Sequence, residues 1–275
     1  MIALQGLTSL TGLALVDATR DRQITSIRNS AQGAREINTF RERIGNIQTV
    51  DQLLEDQELY AFVMKAYDLE NQIFGKALMA KVLKSDINDS TSLVNRLTSQ
   101  RFKDIHQGLD FSTGGIGNTN TFNPAWQEEM VERFLERQFI NMQADQNETI
   151  GTVLEFRKQA GSITSPFDFL KSAKLSDFIR TAVGIPSEAA GLNIDKQAAL
   201  IENRVDIEKL NDPKEVNRLV LRYIAIKDAG NTANVSANAA VQLMSAAVNT
   251  SSGGQFVPIT INIESILAKP RGAYT

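Results

Sequence analysis

Few side chains in this chain of 275 residues are of types that do chemistry readily, and their spacing restricts them further. There is one histidine, His106, and no cysteine. A Ser-His-Asp relay would have to run through His106, and metal motifs built on two histidines are excluded. Disulfides, thiolate nucleophiles and cysteine-ligated zinc are excluded with them. Carboxylates are plentiful, and Glu128, Glu132 and Glu136 share one helix face at i, i+4 spacing. A di-iron bundle would pair such glutamates with Glu-x-x-His, but the residue three before His106 is Lys103. The face therefore reads as solvated and acidic, relieved by Arg133 and Arg137. Gly114-Gly115-Ile116-Gly117 has the look of a phosphate loop, yet no Lys-Ser or Lys-Thr follows and no strand precedes it. Arg20, Arg22, Arg28, Arg35, Arg41 and Arg43 are interrupted by Asp17, Asp21, Glu36 and Glu42, and the net charge is -3. Nucleic acid needs an unneutralised basic excess, so it is not an expected partner. No catalytic, cofactor-binding or metal-ligating residue is assigned, and no cofactor is expected.

The elements that would position such residues are written twice. Phe40, Arg41, Gly45, Ile47, Leu54, Leu59, Phe62, Val63, Ala66 and Leu69 face Phe156, Arg157, Gly161, Ile163, Leu170, Leu175, Phe178, Ile179, Ala182 and Ile185, each pair 116 positions apart. After a six-residue insertion near Pro186 to Asn193 the offset becomes 122, and Val94-Asn95-Arg96-Leu97 reappears as Val216-Asn217-Arg218-Leu219. A sustained register with one indel predicts two tandem pseudo-symmetric repeats.

Each repeat is predicted to open with a helix of roughly 30 residues, about 45 Å long at 1.5 Å per residue. One runs from about Ala18 to Ile44, and the other from the Asn123 cap and Pro124 to Ala160, with Gly45 and Gly161 just past their ends. Thr49 with Gln52, and Ser165 with Pro166 and Asp168, then cap short helices. Asp56 and Ser172 cap the next pair, whose Leu59, Phe62, Val63, Ala66 and Leu175, Phe178, Ile179, Ala182 follow the i, i+3, i+4, i+7 rule of a buried face. Gly184 stops the second of these, and Asp68 stands in its place in the first. Further helices are expected over Ile73 to Lys84 and Asp195 to Asp206, and from Ser90 and Asp212. Arg96 and Arg218 fall in the second turn of those last helices, where pinning a carboxylate or carbonyl is the ordinary role and a repeated ligand site the alternative.

The predicted class is thus all-α, with two repeats that are each a long helix followed by several short ones, plus a short extended C-terminal arm. Expected segments are an N-terminal arm over 1–17, repeat 1 over 18–107, a Gly/Asn/Thr-rich linker loop over 108–122, repeat 2 over 123–230, and an uncharged helix with an extended tail over 231–275. Thr232 to Val248 contains no charge, and Val257, Ile259, Ile261 and Ile263 alternate with polar residues or proline. The apolar opening from Met1 to Val16 lacks a basic residue ahead of it and fits a secretory signal poorly. No run approaches the ~20 apolar residues of a membrane span.

The pattern Leu53-Leu54-x-Asp56-x-x-Leu59-x-x-Phe62-x-x-Lys65-Ala66-Tyr67-x-Leu69, with Lys81-Val82-Leu83-x-Ser85 and Asn95-Arg96-Leu97 after it, resembles a family of uncharacterised helical proteins from alpha-proteobacteria. The likeness covers about Asn38 to Arg101 and is weaker over Val153 to Tyr223, where Ser172 replaces the Asp and Val183 the aromatic. The resemblance implies a mainly helical fold, several copies of the block in some members, and an association with flagellar genes. It supplies no catalytic residue.

The expectation for function is a non-enzymatic structural or protein-interaction protein whose partner is a flagellar component or a second copy of itself. It would be cytoplasmic, or exported through a flagellar apparatus without a cleavable signal. The alternative is a small-ligand binder or enzyme with a site between the repeats, where Arg96, Arg218, His106 and Trp126 would converge.

Overall fold

Polar side chains cap the amino ends of most helices, and two of these caps fall inside segments whose apolar periodicity reads as continuous. The computed structural model describes residues 2–118 and 120–230. Helix α1 (Ser9–Asn29) ends where Ser30 turns extended and its hydroxyl accepts from the Gly33 amide, which opens α2 (Ala31–Arg43). Gly33 is required there, because a Cβ would sit 2.1 Å from the Ile27 carbonyl oxygen. The later long segment breaks likewise: α8 (Pro124–Gln146) gives way at Asn147, whose side chain caps α9 (Glu148–Gln159). Neither half therefore opens with one unbroken helix. A single N-cap residue switched to extended backbone satisfies the orphan amides of the next helix, and hydrophobic spacing alone does not register it.

Between these pairs run α3 (Val50–Glu55), α4 (Gln57–Ala66), α5 (Lys76–Leu83), α6 (Leu93–Arg96) and α7 (Gln100–Leu109). After them come α10 (Pro166–Leu170), α11 (Ala173–Val183), α12 (Ile194–Glu202) and α13 (Pro213–Gly230). Among the described residues no strand is formed, and the fold is all-α. Thr49 with Gln52, and Ser165 with Asp168, each close a reciprocal capping box. Asp56 caps α4, but the Ser172 hydroxyl makes no such bond to α11. Asp68 (φ 55°) and Gly184 (φ 70°) both turn left-handed after α4 and α11. Aspartate is one of the few side chains that tolerates this conformation.

Residues 1–227 form one compact unit, and of the second, from 228 on, only the end of α13 is described. The expected uncharged helix at 232–248 and the extended arm lie outside the described residues. In the first unit α8 is the hub, packing against α1, α4 and α9, while α9 packs against α11. One continuous core results. Phe62 lies between Phe40 (4.3 Å) and Phe134 of α8 (4.4 Å), and Phe156 stacks on Phe178 at 4.1 Å.

The structure differs from expectation in the N-terminal arm and in one short helix, and gives the loop over 108–122 a packed course. The N-terminal arm over 1–17 is in large part helical: α1 starts at Ser9, Leu4, Leu13 and Val16 are buried, and the Leu4 amide donates to Gln146 Oε1 at 3.0 Å. Gly12 permits that approach, since a Cβ would come 2.8 Å from Ile150 Cδ1. The linker loop folds back on the chain. Gly117 N–H donates to Gln48 O (2.8 Å), Val50 N–H to Gly115 O (3.0 Å) and the buried Thr121 hydroxyl to Ile47 O (3.1 Å), so the glycines serve a turn packed on the start of α3. The helix expected from Ser90 starts only at Leu93 and is over by Arg96. Its copy continues through α13, so the two identical tetrapeptides bury different members, Val94 in one and Leu219 in the other.

The acidic face of α8 is not left to water either. Arg20 reaches Glu136, Arg28 reaches Glu128 and Glu132, and Arg41 also reaches Glu128. Arg20, Arg28 and Arg41 are thus paired with α8, while Arg35 and Arg43 pair with Glu58 and Asp56 at the start of α4, although each such exposed pair contributes only about 0 to 1 kcal/mol.

Candidate functional site

A concavity of about 670 Å³ lies where the halves meet. Its floor is a four-residue ion cluster. Asp68 arrives from the left-handed turn after α4, Arg101 from the first turn of α7, Arg137 from α8 and Glu155 from α9. Arg137 Nη1 lies 2.6 Å from Glu155 Oε2 and 3.3 Å from Asp68 Oδ1. Arg101 pairs with Asp68 and lies 3.4 Å from Glu155 Oε1. Gln159 adds a hydrogen bond to Glu155. Arg137 and Glu155 are only 5% and 4% exposed, which charged groups tolerate when they neutralise one another.

The electrostatics follow from that geometry. Burial pushes the Glu155 carboxyl up, but Arg137, with Arg101 and Lys158, outweighs it and holds the group below the ordinary carboxylate range. Lys158 stands exposed at the rim, and the protein crowded around it together with the Arg137 charge pulls its ammonium down. Burial pushes the Tyr67 hydroxyl up to about 12, and Arg133 lies over its ring at 5.3 Å. The lining holds five cations (Arg101, Arg133, Arg137, Lys158, Lys171) and four carboxylates (Asp68, Asp104, Glu155, Asp168), an excess of one positive charge. Among the described residues no group of three or more acidic or histidine side chains is placed to hold a metal.

None of the four residues expected to converge between the repeats lines this cleft. His106 is buried on α7 and its Nε2–H donates to the Ser85 carbonyl at 2.9 Å. Trp126 is buried at the start of α8, 6.2 Å from Phe40. Arg218 closes on Glu215, three residues earlier in α13, at 2.7 Å through Nε. Arg96 is exposed on α6. The structure thus brings the expected groove without the expected residues. Two signals could have pointed to the right ones: Glu155 interrupts the otherwise apolar run Val153-Leu154-Glu155-Phe156, and Asp68 occupies a position that calls for glycine.

No curated protein matches the chain in sequence. A crystal structure of protein AGR_C_984 from Agrobacterium tumefaciens is similar, with a TM-score of 0.73 and 27% identity over 84% of this chain and 97% of that one. Residues 66–216, which include all four members of the ion cluster, match the family described as "Protein of unknown function (DUF1217)". That match spans 151 of the 275 residues (216 minus 66, plus 1), and the chain belongs to this family.

Proposed function

We propose that the protein is a non-enzymatic interaction protein, built on a duplicated helical module, whose partner is a component of the flagellar apparatus. The observation that carries the interaction reading is Phe74. It stands 97% exposed in the connection ahead of α5. In the later half the connection ahead of α12 and the first residue of that helix expose Leu192 (42%) and Ile194 (55%). Leaving a large apolar side chain in water forgoes about 1.5 to 3 kcal/mol that a contact would recover. Bare apolar residues in one connection of each half therefore favour a protein surface as the neighbour.

The duplication is supported by local matches at one spacing. Phe40 on Phe62 and Phe156 on Phe178 are stacked pairs at 4.3 and 4.1 Å, and each member lies 116 residues from its counterpart. The flagellar part rests on the family resemblance of the Leu53 to Leu69 pattern.

Photo-crosslinking residues placed at 74 and 194 in cells test the interaction. A protein adduct of discrete mass is expected from at least one position, and none from either overturns it. Deleting the gene tests the flagellar part separately: impaired swimming is expected, and normal filaments with normal motility remove that part alone.

A further inference from the structure

The cleft carries an inference independent of the protein partner. Every helix needs its first amides satisfied, and in this fold a polar side chain usually does so. Two helices of ten or more residues depart from that habit. Ser99 and Ser172 hold the N-cap positions of α7 and α11, yet neither hydroxyl bonds to its helix. Both serines line the cleft, so two positive helix ends with unspent amide donors open onto the same cavity.

A second, separate feature points the same way. Arg137 is 5% exposed on the cleft floor, and its Nε donates to no group of the protein. Three of the four carboxylates are ion-paired, Asp68 and Glu155 by the two arginines and Asp168 by Lys171 and the Thr164 and Ser165 amides, and Asp104 accepts from Gln100 Nε2 at 3.2 Å. Lys158 is different. It stands exposed at the rim with no ion pair within 4.0 Å, so its ammonium is free to meet an anion in the cleft.

We infer that this cleft binds a small ligand through one oxyanion group, a phosphate or a carboxylate, held by Lys158 and by amides at the free amino ends of α7 and α11. The excess of a single cation suits one anionic head rather than a polyphosphate. The volume of about 670 Å³ leaves room for a body, and ligand pockets commonly span about 300 to 1,000 Å³. Ser162, Thr164, Gln100 and Gln159 on the walls fit a body that carries hydroxyl groups.

The full chain titrated with inorganic phosphate, glycerol 3-phosphate and glycerate at low ionic strength, followed by amide NMR, tests this. Saturable shifts of the Gln100, Arg101, Ala173 and Lys174 amides are expected from at least one organic probe, and the better of the two identifies the head group. Lys158→Glu should weaken that binding by about tenfold or more, as the loss of a charge-assisted hydrogen bond does. Arg96→Glu, which alters an exposed residue off the cleft, should leave it unchanged. Absence of saturable shifts with any probe overturns the inference, and so does equal affinity of the Lys158→Glu protein. Native-like spectra of both variants exclude unfolding as the cause.

Discussion

Arg137 and Glu155 meet at 2.6 Å on facing helices of one hairpin, both buried, and through Asp68 and Arg101 they tie the later half to the earlier one at the cleft floor. Removing one member strands the other's charge. Glu155→Ala should therefore cost about 3 to 5 kcal/mol in urea denaturation, whereas replacing the pair together by Arg137→Met with Glu155→Leu should recover most of that loss. A double variant no more stable than Glu155→Ala would count against a buried charge as the cause.

The same carboxylate gives an acid dependence whose sign is fixed. Its folded pKa lies below its ordinary value, the more so as Arg137 outweighs burial. The contribution is present above the unfolded value of about 4.3 and is lost as pH falls through the lower folded one. Wild-type stability should decline on acidification below about pH 4.5, and Glu155→Gln, already weaker at neutral pH, should decline less over that window.

The stacked phenylalanines predict equal losses in the two halves. Phe40→Ala and Phe156→Ala each empty a site with 0% exposure, and each should cost about 3 to 5 kcal/mol. Because the core is continuous across the hub helix, each variant should still unfold in one calorimetric transition. Two resolved transitions would mean that the halves melt separately.

What was legible beforehand divides along physical lines. Helix existence, the capping boxes at Thr49 and Ser165, and the buried faces of α4 and α11 follow from local periodicity and hydrogen bonding, which the sequence writes directly. The cleft residues do not. Arg101, Arg137 and Glu155 come together only because α7, α8 and α9 converge, and no local pattern encodes that meeting. The candidates Arg96, Arg218, His106 and Trp126 stand out by residue type, and three of them are engaged away from the cleft: His106 with the Ser85 carbonyl, Trp126 beside Phe40, and Arg218 with Glu215. The breaks at Ser30 and Asn147 were missed for another reason: one residue of extended backbone leaves the apolar stripe almost undisturbed.

Those breaks have a steric requirement. A Cβ at Gly151 would lie 2.3 Å from that of Ala144 across the α8–α9 turn, and one at Gly33 would strike the Ile27 carbonyl. Gly33→Ala and Gly151→Ala should each lower stability by about 1 to 3 kcal/mol, although alanine is the better helix former. Unchanged denaturation midpoints would show that the turns relax without cost.

Tyrosine titration reports on burial directly. Tyr60 and Tyr67 are both pushed up to about 12 by burial, and the Tyr60 hydroxyl has no hydrogen-bond partner. Absorbance near the phenolate band should therefore lag in alkali, with two of the chain's four tyrosines ionising last. Tyr67→Phe should remove one equivalent from that late phase, and an unchanged late phase would contradict the assignment.

Helix α8 comes after the glycine-rich turn in the chain yet spends its apolar surface on α1 and α4, which come before it. Cleaving the backbone within that turn would leave two fragments, each exposing a face shaped for the other. Neither fragment has a complete interior of its own, so co-expressed pieces should reassemble while a lone piece aggregates. Each part of the chain, in this architecture, depends on the other for its interior.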